Sequence, residues 1–403
     1  MNYYTPKEEV KSRLKRFKEL FGKYLSQCEG ALIFSRLNIY YFSGTFANGV
    51  FWIPKEGDPI LFCRRGIERA QIESPLENIV QFNSYGDIKN RFIDLNVSMP
   101  SKIAVEMNGL PWSLSNSLKK HLSDNEFVPC DKLVAICRAK KSEWELELIR
   151  EGGRRHNKCL TEILPAFLHE GINELQISHK ISEIYFSEGN NGPSRMETFG
   201  EDAFLGHISA GESANYSSFF NGPVGLRGVH PAAPFMGSEE IKWEPGNPLT
   251  IDTGFMYGGY MTDKTHVFWL GNKKSIPENV HSAHDFCVEI QNMTAEQLKP
   301  GVKPSDLWKK CEENVFRSSW VEGFMGLGNN KVKFLGHGIG LAIDETPVIT
   351  EGFDLPLEEG MTLAIEPKIG IPGLGMVGIE NTFEVTKNGG KQITGENYEI
   401  ITI

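Results

Sequence analysis

The chain has 403 residues, 40% of them apolar and 23% charged, which is ordinary globular usage and excludes a collagen, a coiled-coil rod and a disordered tail protein. With 42 basic and 52 acidic residues the net charge is −10, which argues against non-specific nucleic-acid binding and against anionic membrane surfaces. No apolar run reaches the ~18–20 residues of a membrane span, Met1 to Lys23 lacks the apolar core of a secretory signal, and seven scattered cysteines without a CxxC pair read as free thiols of a reducing cytoplasm.

Residues 8–24 carry helical spacing, with Val10, Leu14, Phe17, Leu20 and Phe21 on one stripe. Short apolar runs broken by turn residues follow: Ala31–Phe34, Ile39–Phe42, Val50–Ile53, Ile60–Phe62 and Ile103–Val105. They describe a small α/β domain over residues 1–135. Ser142 and Glu145 then form the N-cap and third position of a capping box, opening a long helical stretch through Leu146 and Ile149 towards Leu168. Gly171 to Leu175 opens another helix, with Ile177, Ile181, Ile184 and Tyr185 on one face. The phrase Glu170-Gly171-Ile172-Asn173-Glu174-Leu175 is echoed by Pro300-Gly301-Val302-Lys303-Pro304-Ser305-Asp306-Leu307, the mark of two related half-domains or a chance likeness. Residues 136–403 form the second domain.

The informative stretch is Leu249 to Asp263, where two apolar runs flank Tyr257-Gly258-Gly259. This is a hairpin signal, and centring the turn on Tyr257 and Gly258 places Asp252 opposite Asp263. Near the C-terminus, centring a turn on Gly373 places Glu366 opposite Glu380. Carboxylates inside apolar strands are costly when unpaired, and facing pairs repel unless something positive lies between them. His337, in Gly336-His337-Gly338, is flanked by glycines that let the backbone approach a partner closely. Four carboxylates carry about −4, which two divalent cations would neutralise. Oxygen donors with one nitrogen suit Mn, Co, Zn or Fe.

At these residues the sequence resembles the pita-bread metallopeptidases: methionine aminopeptidase, aminopeptidase P and prolidase. Residues 1–130, with Ile39-Tyr40-Tyr41-Phe42-Ser43-Gly44, resemble the creatinase-type N-terminal domain, and Arg138 to Glu143 resemble the start of the catalytic domain. The resemblance implies an α+β fold, a smaller α/β N-terminal domain before a pita-bread domain of antiparallel strands backed by helices. It implies two divalent ions, Mn or Co foremost and Zn or Fe after them. Asp252 would chelate one, His337 and Glu366 the other, and Asp263 and Glu380 would bridge, with a hydroxide between the ions as nucleophile. Glu366 would also be general base and then acid. The implied activity is that of a Xaa-Pro aminopeptidase or dipeptidase acting on peptides; the implied assembly is a homodimer.

The usual supporting histidines are replaced. Ser218, Lys333 and Asp344 stand where the family has them, and Gly378 stands where an arginine is common. His207 and His230, before the first hairpin, are candidates to compensate; Arg227 is a candidate for a substrate carboxylate, and Asp344 for a substrate contact. His266 is placed to support the ligands. These departures keep open a lyase or amidohydrolase acting on a small metabolite with the same metals, or a catalytically silent member.

Overall fold

The computed structural model describes residues 4–198 and 203–403. The chain divides into two compact units, residues 1–138 and 139–403.

The first unit is a six-stranded mixed sheet with helices. Its elements are α1 (Lys7–Tyr24), β1 (Gly30–Ile33), α2 (Arg36–Ser43), β2 (Asn48–Pro54), β3 (Ile60–Arg65), α3 (Ile67–Glu73), β4 (Ile79–Gln81), α4 (Ile88–Asp94), β5 (Lys102–Val105), α5 (Trp112–His121), β6 (Glu126–Pro129) and α6 (Asp131–Ala139). The strand order is β4-β3-β2-β1-β5-β6. All but one of the short apolar runs are strands. Ile39–Phe42 instead lies in α2, closed by Gly44 in the left-handed region at φ 79°. The α1 stripe buries Val10, Leu14, Phe17 and Phe21, with an Arg13–Glu9 ion pair of 2.7 Å buried beside it.

The second unit contains α7 (Glu143–Lys158), α8 (Glu174–Ser187), β7 (Gly206–Ala210), β8 (Pro248–Tyr257), β9 (Tyr260–Trp269), α9 (Glu278–Ala295), α10 (Pro304–Phe316), β10 (Phe334–Gly338), β11 (Glu345–Thr350), β12 (Thr362–Ile365), β13 (Lys368–Ile371), β14 (Gly375–Gly378), β15 (Glu380–Thr386), β16 (Gly389–Gln392) and β17 (Ile401–Thr402). A nine-stranded sheet runs β11-β10-β12-β15-β9-β8-β7, with β16 against β15 and β17 against β9; β13 and β14 form a separate ribbon. The capping box forms, Ser142 Oγ accepting from the Glu145 amide and Glu145 Oε2 from the Ser142 amide.

The two halves echo each other in backbone hydrogen bonds. Gly171 N–H donates to Trp243 O while Trp243 N–H donates to Ile172 O; Gly301 N–H donates to Leu357 O while Leu357 N–H donates to Val302 O. Both glycines take positive φ, 78° and 89°, before α8 and α10. The sequence echo is thus the same turn used twice. One core cluster joins α9 and α10 to β9, β10, β12 and β15, and another joins α8 to β7 and β8.

Candidate metal centre

The first hairpin differs in register from the sequence expectation. Gly258 and Gly259, at φ 59° and 84°, form the two-residue loop, so Tyr257 pairs with Tyr260. Asp252 faces Thr265 and Asp263 faces Gly254. The shift moves the partner by two residues, so both aspartates stay on one face of the sheet. In the second hairpin Ile365 pairs with Asn381 and Lys368 with Gly378, which brackets Glu366 opposite Glu380 at the bend between sheet and ribbon.

A single row crosses the sheet. His207 on β7 pairs with Asp252 on β8, Asp252 with Thr265 on β9, and Thr265 with Glu380 on β15. Thr265 Oγ1 donates to Glu380 Oε2 at 2.9 Å. His337 enters from β10, paired with Ala364. Its flanking glycines are required: a Cβ on Gly336 would lie 2.2 Å from Ala364 O, and one on Gly338 2.3 Å from Thr346 O.

Asp252, Asp263, His337, Glu366 and Glu380 all line one cavity of about 250 Å³. His337 Nε2 lies 3.5 Å from Glu366 Oε1, 3.8 Å from Glu380 Oε1 and 4.0 Å from Asp263 Oδ2. Asp263, His337 and Glu380 each present a ligand atom within 4.8 Å of the others. Glu380 Oε1 is buried without a hydrogen-bond partner. Hard oxygens around one imidazole, with an orphaned acceptor among them, fit a first-row divalent ion.

Sequence reasoning missed Lys368. Its side chain is fully buried, and its Nζ lies 2.7 Å from Glu380 Oε2, 3.0 Å from Glu366 Oε2 and 3.3 Å from Asp252 Oδ2. The signal was a further charge, two residues after Glu366, inside an otherwise apolar run. Burial lifts the Asp263 carboxyl well above the usual range, with Asp252 adding to it; burial and then Asp263 do the same to Glu380. Burial also acts on Asp252, but Lys368 and His207 outweigh it and hold that carboxyl below its usual value. Burial opposes the charge on Lys368, yet Asp252, Glu366 and Glu380 together raise its pKa well above normal.

The other candidates part company. His207 is buried, lines the cavity and packs against Phe220 at a tilt of 55°, with ring centroids 4.6 Å apart. Burial chiefly lowers its pKa, which favours the neutral ring. Asp344 also lines the cavity, but its oxygens are taken: they accept from the Glu197 amide at 2.5 Å, the Thr198 amide at 3.1 Å and Thr198 Oγ1 at 2.7 Å. It fastens a wall segment of the cavity. Arg227 and His230 lie outside the lining of this cavity. Arg227 is exposed and stacks on Tyr216, 4.4 Å from the ring centroid; exposed His230 accepts the Ala232 amide at Nδ1, 3.0 Å away. His266 is buried behind the row, its Nε2 3.1 Å from Glu399 O.

A carboxylate-and-histidine cage at the bend between the large sheet and its ribbon defines a metal-dependent enzyme of the pita-bread type. The chain belongs to metallopeptidase family M24, whose family model matches residues 147–387, and residues 13–140 match the creatinase/prolidase N-terminal domain. It is 26% identical to a Xaa-Pro dipeptidase of Pyrococcus furiosus, over 97% of this chain and all of that one. The prolidase structure from Pyrococcus horikoshii is 25% identical, covers 97% of this chain and all of that chain, and superposes with a TM-score of 0.79. An X-Pro aminopeptidase structure from Thermotoga maritima shares the fold, with a TM-score of 0.77 at 23% identity over 97% of this chain and 99% of that one. Family membership implies divalent metal ions at the cage. Among the described residues no helix is long and apolar enough to cross a membrane, and all seven cysteines are free and buried.

Proposed function

We propose that the chain is a metallo-exopeptidase that cleaves the peptide bond before proline, with residues 1–135 as its N-terminal domain and 136–403 as its catalytic domain. The observation that carries this reading is the convergence of Asp252, Asp263, His337, Glu366 and Glu380 on one cavity. Full-length likeness to a Xaa-Pro dipeptidase supports the substrate class. Bound divalent ions, Mn or Co in this oxygen-rich set, would supply a water of lowered pKa and a Lewis acid for the scissile carbonyl. Glu366 takes the proton from the attacking water and returns it to the departing proline nitrogen. His207, level with Asp252 in the strand row, lines the cavity beside the cage and is kept neutral by burial.

The cavity wall favours one end of the substrate range. Met196, Leu205, Phe220, Phe334, Ile343 and Val348 give it apolar sides suited to a proline ring. Among the described residues that line it, none is a lysine or arginine. A dipeptide would bring its C-terminal carboxylate into this acidic cavity unmatched, whereas a longer peptide carries that charge beyond it. The reading is therefore an aminopeptidase acting on Xaa-Pro peptides of three or more residues. The resemblance supports a homodimer, and the free buried thiols support a reducing, cytoplasmic setting.

A second reading rests on a specific feature. Ser218 and Lys333 are outside the cavity lining, and Asp344 is engaged with Glu197 and Thr198, so none replaces an imidazole on the substrate. A lyase or amidohydrolase acting on an uncharged metabolite would need fewer such groups. The test is a panel of Xaa-Pro dipeptides, longer Xaa-Pro peptides and Xaa-Ala controls on Mn-loaded protein. Proline-dependent release, faster on the longer peptides, is expected. Metal-loaded protein that releases nothing from any peptide would move the assignment to the second reading.

A further inference from the structure

The cage already contains a cation of its own. Lys368 Nζ is surrounded by Asp252 Oδ2, Glu366 Oε2 and Glu380 Oε2, at 3.3, 3.0 and 2.7 Å. Each glutamate divides its two oxygens. The Oε2 atoms face the ammonium, while the Oε1 atoms face His337 Nε2, with Asp263 Oδ2 beside them. The site thus has two cation positions of different character. The one beside His337 is bounded by three carboxylate oxygens and a ring nitrogen. The one beside Asp252 is filled by a side chain.

Local geometry holds Lys368 there. It follows Glu366 by two residues across the bend between β12 and β13, and its Nζ lies 3.0 Å from Glu366 Oε2. Its cross-strand partner is Gly378. Gly378 has φ 144°, and a Cβ on it would lie 2.6 Å from Lys368 Cα and 3.1 Å from Lys368 Cγ, so only glycine leaves this path clear. A divalent ion needs these carboxylate oxygens at about 2.0–2.2 Å. An ammonium at hydrogen-bond distance from the same three oxygens excludes it.

We infer that Lys368 is the built-in cation of the Asp252-side position, so that the chain binds one divalent ion, held by Asp263, His337, Glu366 and Glu380, instead of two. Lys368 is a positioning residue. It has no exposure to the cavity, neutralises the Asp252 side and fixes the Oε2 edge of Glu366, leaving Oε1 turned to the ion and the substrate. The inference rests on the metallopeptidase reading but is separable from it, because it concerns the number of ions and not the bond cleaved.

The test is Mn²⁺ titrated into chelator-stripped full-length protein, followed by calorimetry, by metal counting after desalting, and by electron paramagnetic resonance. Wild type is expected to take one Mn per chain with the resolved hyperfine spectrum of an isolated ion. Lys368→Ala, which removes both the charge and the bulk, is expected to take two, with a spin-coupled spectrum; Lys368→Met, neutral but of similar length, separates charge from volume. Two ions in wild type would overturn the inference and leave the peptidase reading intact. One ion in both wild type and a folded Lys368→Ala would overturn the role given to the lysine. No ion in wild type would overturn the metal reading itself. Should Lys368→Ala fail to fold, the wild-type count and spectrum still decide the stoichiometry.

Discussion

Lys368 and Glu366 stand two residues apart across the bend between β12 and β13, and the fully buried lysine Nζ lies 3.0 Å from the glutamate Oε2. Glu380 and Asp252 complete the ring around that ammonium. Deleting one member of a buried charge cluster leaves the others uncompensated and costs about 3–5 kcal/mol. Lys368→Ala is therefore expected to lower the melting temperature of metal-stripped protein by roughly 10 °C, taking about 2–4 °C per kcal/mol for a unit of this size. Saturating Mn should recover more of that loss in the variant than it adds to wild type, because the variant offers the ion two positions. Scanning calorimetry with and without metal makes the comparison. Equal melting temperatures in the stripped state would mean that the ammonium contributes nothing to the fold.

Glu366 is the proposed general base, and its variant separates chemistry from structure. Glu366→Gln keeps the shape of the side chain and the contact of one edge with Lys368, but it cannot accept a proton. General acid-base groups contribute about 10²–10⁴-fold to rate, so kcat on Xaa-Pro peptides should fall by that factor at saturating Mn. KM should change little, since the apolar wall that holds the proline is untouched. A variant retaining more than about a tenth of wild-type kcat would place the base elsewhere.

The five residues that share the cavity were legible for a simple reason: charged side chains inside apolar strands are expensive, and five of them in two hairpins and a glycine-flanked strand have few explanations. The first hairpin turn was centred one residue early, on Tyr257 and Gly258 instead of Gly258 and Gly259, yet the face survived because strands alternate with period two. Lys368 carried the same signal more weakly. A lysine following proline reads as a surface residue, and only the register that sets it against Gly378 and beside Glu380 shows it to be buried. Ile39–Phe42 shows the limit for the fold, since a short apolar run carries no periodicity that separates strand from helix. Arg227 looked available from sequence, but stacking on Tyr216 could not be foreseen from spacing.

Glu174, at the start of α8, ties that helix to the strand that carries His207. Its Oε1 accepts the Ala210 amide at 2.8 Å and its Oε2 the Ser238 amide at 2.9 Å. Burial outweighs these donors and pushes its carboxyl from 4.5 up to about 7. A folded-state pKa raised above the unfolded value favours the fold when the group is protonated. The contribution is therefore complete below about pH 4.5 and is lost as pH rises to about 7, on the order of 3 kcal/mol in all. Glu174→Ala removes this titration. The stability difference between wild type and variant, measured by urea unfolding of Mn-loaded protein, should be largest near pH 5 and shrink by pH 8. A difference that stays constant across this range would show that the carboxylate, and not the acid, is what the fold holds.

Asp344 both lines the cavity and fastens one of its walls. Its carboxylate ties Glu197 and Thr198 to the loop after β10 through three hydrogen bonds, and it shares the cavity lining with Thr198 and Met196. Hydrogen bonds to a charged group are worth about 1.5–3 kcal/mol each when both partners are buried, and less at a half-buried site such as this. Asp344→Ala frees that wall without touching the cage. It should therefore raise KM for Xaa-Pro peptides by about tenfold and leave kcat within about twofold, the pattern of lost binding that is shared by substrate and transition state. Metal stoichiometry should be unchanged. A direct role in proton transfer would produce the opposite split, with kcat falling and KM preserved, and steady-state kinetics on one longer Xaa-Pro peptide distinguishes the two.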